Sequence, residues 1–485
     1  MLQGSSDINT IKHEVLFEVA KLAFRGELNE KEDQIPYDLI PGPQANFRCC
    51  IYKEREIIRQ RIRLAKGMSP SANQNNRNIV QVINSACEGC PITRFVVTDN
   101  CQKCMGKKCQ QACNFQAISM LRDRAYIDPS KCKECGKCSQ ACPYNAIADL
   151  MRPCKRSCPV DAISMDENGI VVIDEERCIN CGSCIKDCPF GAISDRSFMV
   201  DVINLIRNGA EIYAMVAPAI EGQFGPQVSI GILADAIKEI GFTGMYEVSL
   251  GADLVSASES QEWAEAYQEG KKMTTSCCPA FVNMIKKHFP TLLSNMSTTV
   301  SPMAATAKLV RAIHPGAITV FIGPCIAKKG EVLDSITQGN ADYALTFDEL
   351  NAMFRAREIN LSSFGGHMQQ GSVYGKNFAI AGGVTASVIQ AMEEKGIDTE
   401  KINVLGCNGA AECKKALMML KAGRLPADFI EGMACVGGCV NGPGSVLTGR
   451  QAQQNRAKQI ATADKREIYE NLRSYEEYPV EMHRK

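Results

Sequence analysis

The distribution of cysteine is the feature that most restricts how this chain can fold. The 485 residues contain 25 cysteines, and sixteen of them lie between Cys87 and Cys188. A disulfide framework is typical of short secreted chains, whereas grouped cysteines in a long chain without an export signal more often bind metal. The fold must therefore bring sets of thiols together as metal ligands.

Two segments carry the spacing C-x2-C-x2-C-x3-C-P, which is the bacterial ferredoxin run for a 4Fe-4S cluster. The first three thiolates of such a run bind one cluster, and the fourth binds the other cluster of a pair. A structural zinc site needs only two C-x2-C pairs, so a zinc site does not explain the longer run. The two runs are Cys132, Cys135, Cys138 and Cys142, and Cys178, Cys181, Cys184 and Cys188.

The other eight cysteines of this region complete two more sets. One has the spacing C-x2-C-x4-C-x3-C and precedes the run at Cys132, while CEGC at 87–90 and CKRSCP at 154–159 are two halves of another. We therefore predict one ferredoxin unit inserted inside another, with four 4Fe-4S clusters. The predicted ligand sets are Cys101, Cys104, Cys109 and Cys142; Cys132, Cys135, Cys138 and Cys113; Cys87, Cys90, Cys154 and Cys188; and Cys178, Cys181, Cys184 and Cys158.

A short phrase recurs after the fourth cysteine of each set: FQAISM, YNAIAD, VDAISM and FGAISD. Repetition at four equivalent places indicates four copies of one structural unit, which a merely cysteine-rich structural domain does not explain. Four clusters in series predict a conduit for single electrons, and a conduit implies a redox centre at its end.

Charge and hydropathy exclude several other classes of function. Lys plus Arg and Asp plus Glu each total 54, which gives no support to nucleic-acid or membrane-surface binding. The start of the sequence lacks a basic and apolar signal peptide, and we find no apolar run of about 18 residues that could span a membrane. A cytoplasmic protein is the expectation.

From about residue 200 the pattern changes to short apolar runs that alternate with helical periodicity. AEIYAMVAPAI, TGMYEVSL, AITVFIGPC, INVLGC and ADFIEGMAC predict buried strands, and GILADAIKEIG, PMAATAKLVRAIH and TASVIQAMEEKG predict helices. Such alternation predicts α/β layers with largely parallel sheets, whose ligands lie beyond the carboxyl ends of the strands. Cys325, Cys435 and Cys439 follow predicted strands, and Cys277 and Cys278 precede the predicted helix FVNMIKKHF, so these cysteines could share one crevice.

Three segments resemble the signatures of FeFe-hydrogenases: TSCCPAF at 275–281, PCIAKKGE at 324–331 and EGMACVGGCVNGPG at 431–444. They occur in the family's order behind a ferredoxin region, and the resemblance covers about residues 81–450. It implies a two-lobed α/β domain that holds an H-cluster, preceded by nested ferredoxin-like α+β modules and a short helical N-terminal segment. The expected division is 1–80, 81–198, 199–450 and a polar helical tail at 451–485.

The resemblance also implies a role for each matched residue. The H-cluster is a 4Fe-4S cube linked to a two-iron unit that carries CO, cyanide and a bridging dithiolate amine. The cube ligands would be Cys278, Cys325, Cys435 and Cys439, and Cys277 would pass protons to and from the bridging amine. Lys328 matches a lysine that binds a cyanide, and Ala217, Pro218, Ala219 and Met433 match groups beside the two-iron unit.

A proton route is implied as well. Glu259 and Glu262 match two glutamates three residues apart, and Ser297 matches the serine that joins them. The family's arginine at the outer end has no match, because Ala266 occupies its place; either the exit differs or Glu265 substitutes. Outside the context of the signatures, two such glutamates are more often a solvated helix face, and a lone lysine is more often a surface charge.

Several positions depart from the most familiar form of the family. Phe281 stands where tryptophan is usual, Gly323 where methionine is usual and Met303 where glutamine is usual, and GPGSV at 442–446 replaces a glycine-rich segment ending in proline. These changes resemble the group B form, and they alter the packing around the two-iron unit without altering its anchors. The leftover Cys49, Cys50, Cys407 and Cys413 are predicted to be buried packing thiols. EREIIRQRIRLAKG is predicted to be a solvated helix rather than one that packs on the ferredoxin region or binds an acidic carrier.

The expected activity is reversible conversion of two protons and two electrons to H2, with four 4Fe-4S clusters relaying electrons. An external carrier such as ferredoxin or flavodoxin, and maturation proteins that supply the two-iron unit, are the expected partners. Two alternatives stay open: an H2 sensor with slow turnover, and a non-catalytic iron-sulfur assembly relative. Relatives of the sensor class usually carry a further signalling module, and relatives of the assembly class lack the complete TSCCP signature.

Overall fold

The structure is a computed structural model that describes residues 7–72, 76–87, 90, 93–334 and 339–484. Its first part is helical; the inner residues of CEGC, and residues 1–6 and 73–75 of the predicted N-terminal segment, lie outside the described residues. The first helix begins after Asp7, whose carboxylate accepts the Thr10 backbone N–H at 3.0 Å, and it ends at Gly26 with φ 77°. The helices are α1 (Ile8–Arg25), α2 (Leu28–Lys31), α3 (Ile35–Leu39) and α4 (Ile51–Ala65).

The prediction of a solvated helix for the basic stretch was wrong, because α4 is packed on two sides. Ile58 and Ile62 join the core around α1, and Ile57 and Leu64 pack beside ferredoxin-type cysteines such as Cys188. The isoleucines and leucine recur at helical spacing between the basic residues, so the helix has an apolar face that the charge pattern obscured. Arg61 is itself buried and donates to the Gly191 carbonyl at 2.7 Å.

The cysteine-rich region folds into small antiparallel strand pairs with short helices between them. The strands are β1 (Val80–Val82), β2 (Phe95–Val97), β3 (Ile118–Met120), β4 (Ala125–Ile127), β5 (Ile147–Asp149), β6 (Ile163–Met165), β7 (Val171–Ile173) and β8 (Ile193–Asp195). The helices are α5 (Asn84–Cys87), α6 (Lys108–Gln111), α7 (Lys137–Ala141), α8 (Pro153–Arg156) and α9 (Ser183–Asp187).

The strand pairing encloses one small module within another. β2 pairs with β5 and closes an inner module that also contains the β3–β4 hairpin. β1 pairs with β8 across the whole region and closes an outer module that contains the β6–β7 hairpin. The chain leaves the outer module after α5 and returns to it at α8, so the inner module lies between the two halves of the outer one.

The fourfold repetition of the sequence is repeated in the backbone. Each cysteine set ends in a fourth cysteine. Three residues after that cysteine the backbone is left-handed, and the next residue donates its N–H to the cysteine's sulfur at 3.3–3.4 Å. Equivalent N–H···S contacts at four places identify four equivalent thiol environments. The left-handed residues are Gln116, Asn145, Asp161 and Gly191, and the sulfurs belong to Cys113, Cys142, Cys158 and Cys188.

The remainder of the chain is α/β. Its strands are β9 (Ile212–Val216), β10 (Gly244–Glu247), β11 (Met273–Thr274), β12 (Ile318–Ile322), β13 (Tyr343–Leu345), β14 (Val404–Asn408) and β15 (Phe429–Met433). Its helices are α10 (Met199–Arg207), α11 (Ile230–Glu239), α12 (Val248–Gln268), α13 (Pro279–His288), α14 (Pro302–Ile313), α15 (Ile326–Glu331), α16 (Phe347–Ala356), α17 (Val373–Asn377), α18 (Gly383–Glu394) and α19 (Ala410–Lys421).

Two separate parallel sheets form the two lobes. One has the order β10-β9-β12-β13 and the other has the order β11-β15-β14. All five predicted strands and all four predicted helices of this part are present, which confirms the predicted fold class. β9 and β15 are buried along their whole length, as expected of central parallel strands covered on both faces.

The last part of the described chain returns to the α/β lobes. It contains α20 (Gly449–Ile460), α21 (Ile468–Leu472) and a 3-10 turn at Arg473–Tyr475, and it then becomes extended. His483 forms an antiparallel bridge with Thr299, so residues 480–484 lie beside the segment between β11 and α14. Among the described residues, no helix combines the length and the apolar character needed to cross a membrane.

Candidate functional site

A cavity lies where the carboxyl ends of the two sheets face each other. Cys278 is the N-cap residue of α13 just after β11, and Cys325 is the N-cap residue of α15 after β12. Cys435 and Cys439 follow β15, and Cys439 begins the short 3-10 turn Cys439–Asn441. All four cysteines line the one cavity, as the carboxyl-end rule for parallel sheets leads one to expect.

The cavity is large and apolar. Its empty space, counted to the open mouth, is about 850 Å³. The residues that complete its wall beside the cysteines include those assigned by resemblance to the surroundings of the two-iron unit. They are Ala217, Pro218, Ala219, Met303, Phe321, Lys328, Phe378 and Met433. The Met433 sulfur lies 3.9 Å from the Cys439 sulfur.

The donor set fits an iron-sulfur group. Burial raises the pKa of Cys325 to about 12, and burial and the neighbouring thiols also raise the pKa of Cys435 and Cys439. Thiolates in such a place need a cationic group to compensate for lost hydration, and metal coordination supplies one. Among the described residues, no three His, Cys, Asp or Glu side chains come close enough to share a single ion. Four cysteine thiols around one cavity are the donor set that 4Fe-4S clusters use.

Cys277 also faces the cavity, although it is not one of the four predicted ligands. Burial is the main cause that raises the pKa of its thiol, and the nearby carboxylates of Glu259 and Glu431 raise the pKa further. Glu431 is buried and accepts the backbone N–H groups of Gly382 and Thr385 at 2.9 and 3.0 Å. Sequence reasoning did not single out Glu431, although it is the first residue of the third signature.

Glu259 lies behind Cys277 in the interior of α12. It is fully buried, and neither of its carboxylate oxygens has a hydrogen-bond partner within the part of the chain that the structure describes. Burial raises the pKa of Glu259 to about 7, against smaller effects of the nearby Ser297 hydroxyl and Ser276 backbone. A buried carboxyl with a pKa near neutrality can exchange a proton at little cost.

Glu262 lies one helical turn further along α12, towards solvent. Ser297 donates to Glu262 Oε2 at 2.6 Å, and the Thr298 N–H and hydroxyl both donate to Oε1. Ser297 therefore binds the outer glutamate, while no hydrogen bond joins it to Glu259 among the described residues. Glu265, the candidate substitute at the exit, is exposed and accepts from Gln261 instead.

Lys328 lines the cavity and is held by an acidic partner. Its Nζ donates to Glu331 Oε2 at 2.7 Å, and Ser301 donates to the other oxygen of Glu331 at 2.6 Å. Glu331 thus fixes the ammonium group at the wall of the cavity and balances its charge. The expected role of Lys328 towards a cyanide ligand stays a prediction.

Two of the departures from the familiar pattern are accommodated by their immediate neighbours. A Cβ built on Gly323 meets the Phe321 ring at 2.5 Å and the Ala217 Cβ at 3.2 Å. The aromatic ring of Phe321 therefore fills the space that a side chain at position 323 needs. Phe281 is fully buried against Gly432, whose Cβ position lies 2.1 Å from the ring. The ring of Phe281 thus requires glycine two residues before Ala434.

Several accessory cysteines lie near other members of their predicted sets, while the sets themselves stay predictions. Thiols that lie close together raise one another's pKa. This effect connects Cys87, Cys90 and Cys154 with Cys188, and it connects Cys178, Cys181 and Cys184 with Cys158. In the inner module the same influence joins Cys109 to Cys101 and Cys142, and Cys138 to Cys132 and Cys113. Cys104 and Cys135 are assigned by spacing alone.

Cys181 connects the outer module to the cavity. It lines the cavity itself, and its charge contributes to the raised pKa of Cys435. Cys184 is influenced in the same way by Cys154 of the neighbouring set. The two predicted cysteine sets of the outer module are therefore neighbours, and Cys181 of one set lines the cavity.

A buried ionic network joins three parts of the chain beside this connection. Lys329 is almost completely buried, and its Nζ lies 2.7 Å from Asp195 of β8 and 2.8 Å from Glu349 of α16. Lys12 of α1 also reaches Asp195, at 3.3 Å. Paired charges of this kind fix relative position, because removing one partner leaves an uncompensated buried charge. Lys328 was identified from the sequence but Lys329 was not, because only the fold shows which of these adjacent lysines is buried between domains.

The four leftover cysteines divide into two pairs. Cys407 and Cys413 are buried in the core of the smaller sheet, which agrees with the prediction of packing thiols. The prediction was wrong for Cys49, which is exposed, and Cys50 is half-buried as the N-cap residue of α4.

Comparison with known proteins shows the family of this chain. Residues 210–443 match the family described as iron only hydrogenase large subunit, C-terminal domain. The chain is 31% identical over 373 residues to the periplasmic Fe hydrogenase large subunit of Nitratidesulfovibrio vulgaris, covering 66% of this chain and 85% of that protein. The chain belongs to the iron-only hydrogenase large-subunit family. Residues 125–148 match the 4Fe-4S binding domain and residues 148–199 match the LdpA Fe-S cluster-binding domain, so this hydrogenase-family protein has iron-sulfur binding domains.

Two further hydrogenases are similar over part of the chain. Iron hydrogenase 1 of Clostridium pasteurianum is 28% identical over 371 residues, which are 66% of this chain and 64% of that protein. An apo FeFe-hydrogenase structure from Chlamydomonas reinhardtii aligns with a TM-score of 0.46 at 22% identity, over 54% of this chain and 87% of that one.

A relative of a different kind matches a shorter segment. The cytosolic Fe-S cluster assembly factor NAR1 of Candida dubliniensis is 25% identical over 136 residues, which are 25% of this chain and 23% of that protein. The hydrogenase family thus shares sequence with proteins named for assembly, and membership alone does not decide between turnover and assembly.

Proposed function

We propose that this protein is an iron hydrogenase that interconverts H2 with two protons and two electrons. The observation that carries the proposal is a fifth thiol. Four cysteines suffice to hold a cluster in the cavity, yet Cys277 also faces it and is backed by the buried, protonatable Glu259. An assembly protein has no need for a proton donor at this place, whereas a catalyst that consumes protons does.

In this proposal Cys278, Cys325, Cys435 and Cys439 hold the cube of an H-cluster, and Ala217, Pro218, Met433 and Lys328 surround its two-iron unit. The bound group supplies the redox chemistry of H2, which no side chain can perform. The chain contributes the apolar wall that limits water, and the Lys328 ammonium, held by Glu331, offers a positive charge to an anionic ligand.

Protons are proposed to move between the cavity and solvent through side chains of α12 and its neighbours. Cys277 exchanges a proton with Glu259, and Glu262 continues the path outward with Ser297 as its hydrogen-bonded partner. No hydrogen bond joins Glu259 to Ser297 among the described residues, so a proton needs a bridging water or a small side-chain rotation to pass between them. Both glutamates of the path lie on α12, and Cys277 and Ser297 come from neighbouring segments that pack against it.

Electrons are proposed to pass through four 4Fe-4S clusters held by the sixteen cysteines of the nested modules. The set that contains Cys181 comes last, since Cys181 lines the cavity. The set that contains Cys154 is proposed to precede it, because Cys154 acts on Cys184. The two inner-module sets are proposed to come first. This order leads from an exposed module to a buried centre.

The test is H2 evolution from reduced methyl viologen by anaerobic protein loaded with iron-sulfur clusters and a synthetic two-iron unit. Rapid evolution, together with infrared bands of bound CO and cyanide, is the expected result. The same protein loaded with iron-sulfur clusters alone is the matched control, and it should be inactive. A fully loaded site that evolves no H2 contradicts the proposal.

Two other functions give different results in that measurement. The NAR1 match favours an assembly role as the second candidate, and a protein of that kind should fail to bind the two-iron unit and show no CO or cyanide bands. A sensor should bind the unit and show the bands but turn over slowly. The outcome therefore separates all three classes.

The inner module offers the surface on which an electron carrier is proposed to bind. Residues 95–150 contain eight Lys or Arg against five Asp or Glu. Large apolar side chains are exposed among them, and Met105 is almost completely exposed. A basic surface with apolar contacts suits an acidic carrier such as ferredoxin or flavodoxin.

Reversing two charges on this surface tests the carrier proposal. The double substitution Lys108→Glu and Lys133→Glu is expected to raise the KM for reduced ferredoxin roughly tenfold at low salt, since steering is lost. The rate with methyl viologen should not change. The double substitution Lys415→Glu and Lys421→Glu on α19 is the matched control, and an equal effect there would argue against a specific surface. Dedicated maturation proteins and a cytoplasmic location complete the proposal.

A further inference from the structure

The outer glutamate of the proposed proton route has a partner that no signature contains. The Glu262 side chain is only 13% exposed, so its carboxylate has little direct access to water. His483 Nδ1 lies 3.2 Å from Glu262 Oε1 and 2.8 Å from the Thr298 hydroxyl, which itself donates to the same carboxylate oxygen. The His483 side chain is 51% exposed and thus connects this carboxylate to solvent.

The backbone around His483 is fixed on both sides. The Val300 N–H donates to the Met482 carbonyl at 2.7 Å, and the Arg484 N–H donates to the Thr298 carbonyl at 2.8 Å. Met482 packs against the core that includes Trp263 and Cys277. Residues 480–484 therefore form a strand-like segment that is held against the 298–300 backbone, and the imidazole is placed by that segment.

The charged groups around His483 come from three elements. Glu262 belongs to α12, and Glu481 accepts the His483 backbone N–H at 3.1 Å. Lys308 of α14 donates to the Glu481 carbonyl. Arg484 turns inward, where its Nη2 donates to the Ser276 carbonyl at 2.9 Å and its positive charge acts on the buried Glu259. One short segment thus places an imidazole at the outer glutamate and a guanidinium near the inner one.

We infer that His483 is the group that exchanges protons between Glu262 and bulk water, and that residues 480–484 form the outer end of the proton route. This inference rests on the proposed hydrogenase activity. An imidazole suits this place, because one ring nitrogen can contact the carboxylate while the other exchanges a proton with water. Glu262 and the Thr298 hydroxyl hold one ring nitrogen, and the exposed half of the ring meets water.

Replacing His483 by alanine tests the inference in the loaded enzyme. H2 evolution from reduced methyl viologen should fall roughly tenfold or more at pH 8, where protons are scarce, and less at pH 6. Added imidazole should restore much of the rate, while the KM for methyl viologen stays unchanged. His367→Ala removes an exposed histidine elsewhere and is the matched control, so neither its rate nor its response to imidazole should differ from the native protein.

A second readout does not depend on turnover. With 15N-labelled histidine, the ring resonances of His483 can be followed by NMR in the cluster-loaded protein and assigned by their loss in His483→Ala. Glu262→Gln replaces the carboxylate that lies 3.2 Å from Nδ1 and should shift those resonances. His367 in the same spectrum should not shift.

The outcomes are distinct. If the native protein evolves H2 but His483→Ala matches it at every pH and ignores imidazole, the inference is overturned and the proposed function stands. If the native protein evolves no H2, the proposed function falls first. Unchanged His483 ring resonances in Glu262→Gln overturn the inference in either case.

Discussion

Replacing Cys277 by alanine is expected to lower H2 turnover by about 10² to 10⁴, the range for loss of a positioned acid-base group. The iron content and the visible spectrum should not change, because the four predicted cube ligands are retained. The physical reason is that Cys277 is the thiol that faces the cavity without being needed to hold the cluster, and it lies next to the buried carboxyl of Glu259. Cys277→Ser should be nearly as slow, since an alcohol releases its proton far less readily than a thiol.

The matched control is Cys413→Ala, which also removes a fully buried thiol from the same lobe but not from the cavity wall. It should keep the native rate apart from a modest loss of stability. Iron loss in Cys277→Ala would mean that Cys277 is a ligand and that Cys278 has the other role. An unchanged rate would make Cys277 a packing residue and remove the observation on which the proposed function depends.

Much of the fold followed from local pattern. The four cysteine sets predicted the nested modules because cluster ligands must lie close together in space, and that requirement fixes which strands can pair. The parallel sheets followed from apolar runs such as residues 212–216, which are buried on both faces. The convergence of Cys278, Cys325 and Cys435 followed from one geometric rule, that the carboxyl ends of parallel strands meet at one edge.

What sequence reasoning missed depends on long-range contacts. His483 reaches Glu262 from more than 200 positions away in the sequence, and no local spacing announces a bridge to Thr299. Lys329 and Lys328 are adjacent and identical in type, and only the packing of β8 and α16 makes one of them a buried interdomain ion. The prediction of a solvated helix for α4 was wrong because it rested on the basic residues and not on the isoleucines between them.

Replacing Glu259 by glutamine is expected to change activity and stability in opposite directions. The carboxyl is the buried proton carrier behind Cys277, and an amide cannot take up and release protons, so turnover should fall by roughly 10²-fold or more. Glu265→Gln removes an exposed carboxylate from the same helix and should leave the rate unchanged.

Stability should respond to pH in a way that only the native residue produces. Burial raises the pKa of Glu259 from 4.5 to about 7 in the folded protein. Below pH 4.5 the carboxyl of Glu259 is protonated in both the folded and the unfolded chain. Above pH 7 the folded protein must bury its negative charge, so the free energy of unfolding falls as the pH rises through 7. One pKa unit corresponds to 1.36 kcal/mol, so the raised pKa lowers the free energy of unfolding by about 3 kcal/mol in all. About 1 kcal/mol of this loss falls between pH 6 and 8.

Glu259→Gln carries no such charge, so its stability relative to the native protein should increase between pH 6 and 8. Anaerobic denaturant unfolding of the cluster-loaded proteins at both pH values measures the difference directly. A variant that is slower but more stable at pH 8 shows that the chain keeps a costly buried carboxyl for proton transfer. A variant that loses stability equally at both pH values would instead give Glu259 a packing role, and the proton route would have to leave the cavity by another side.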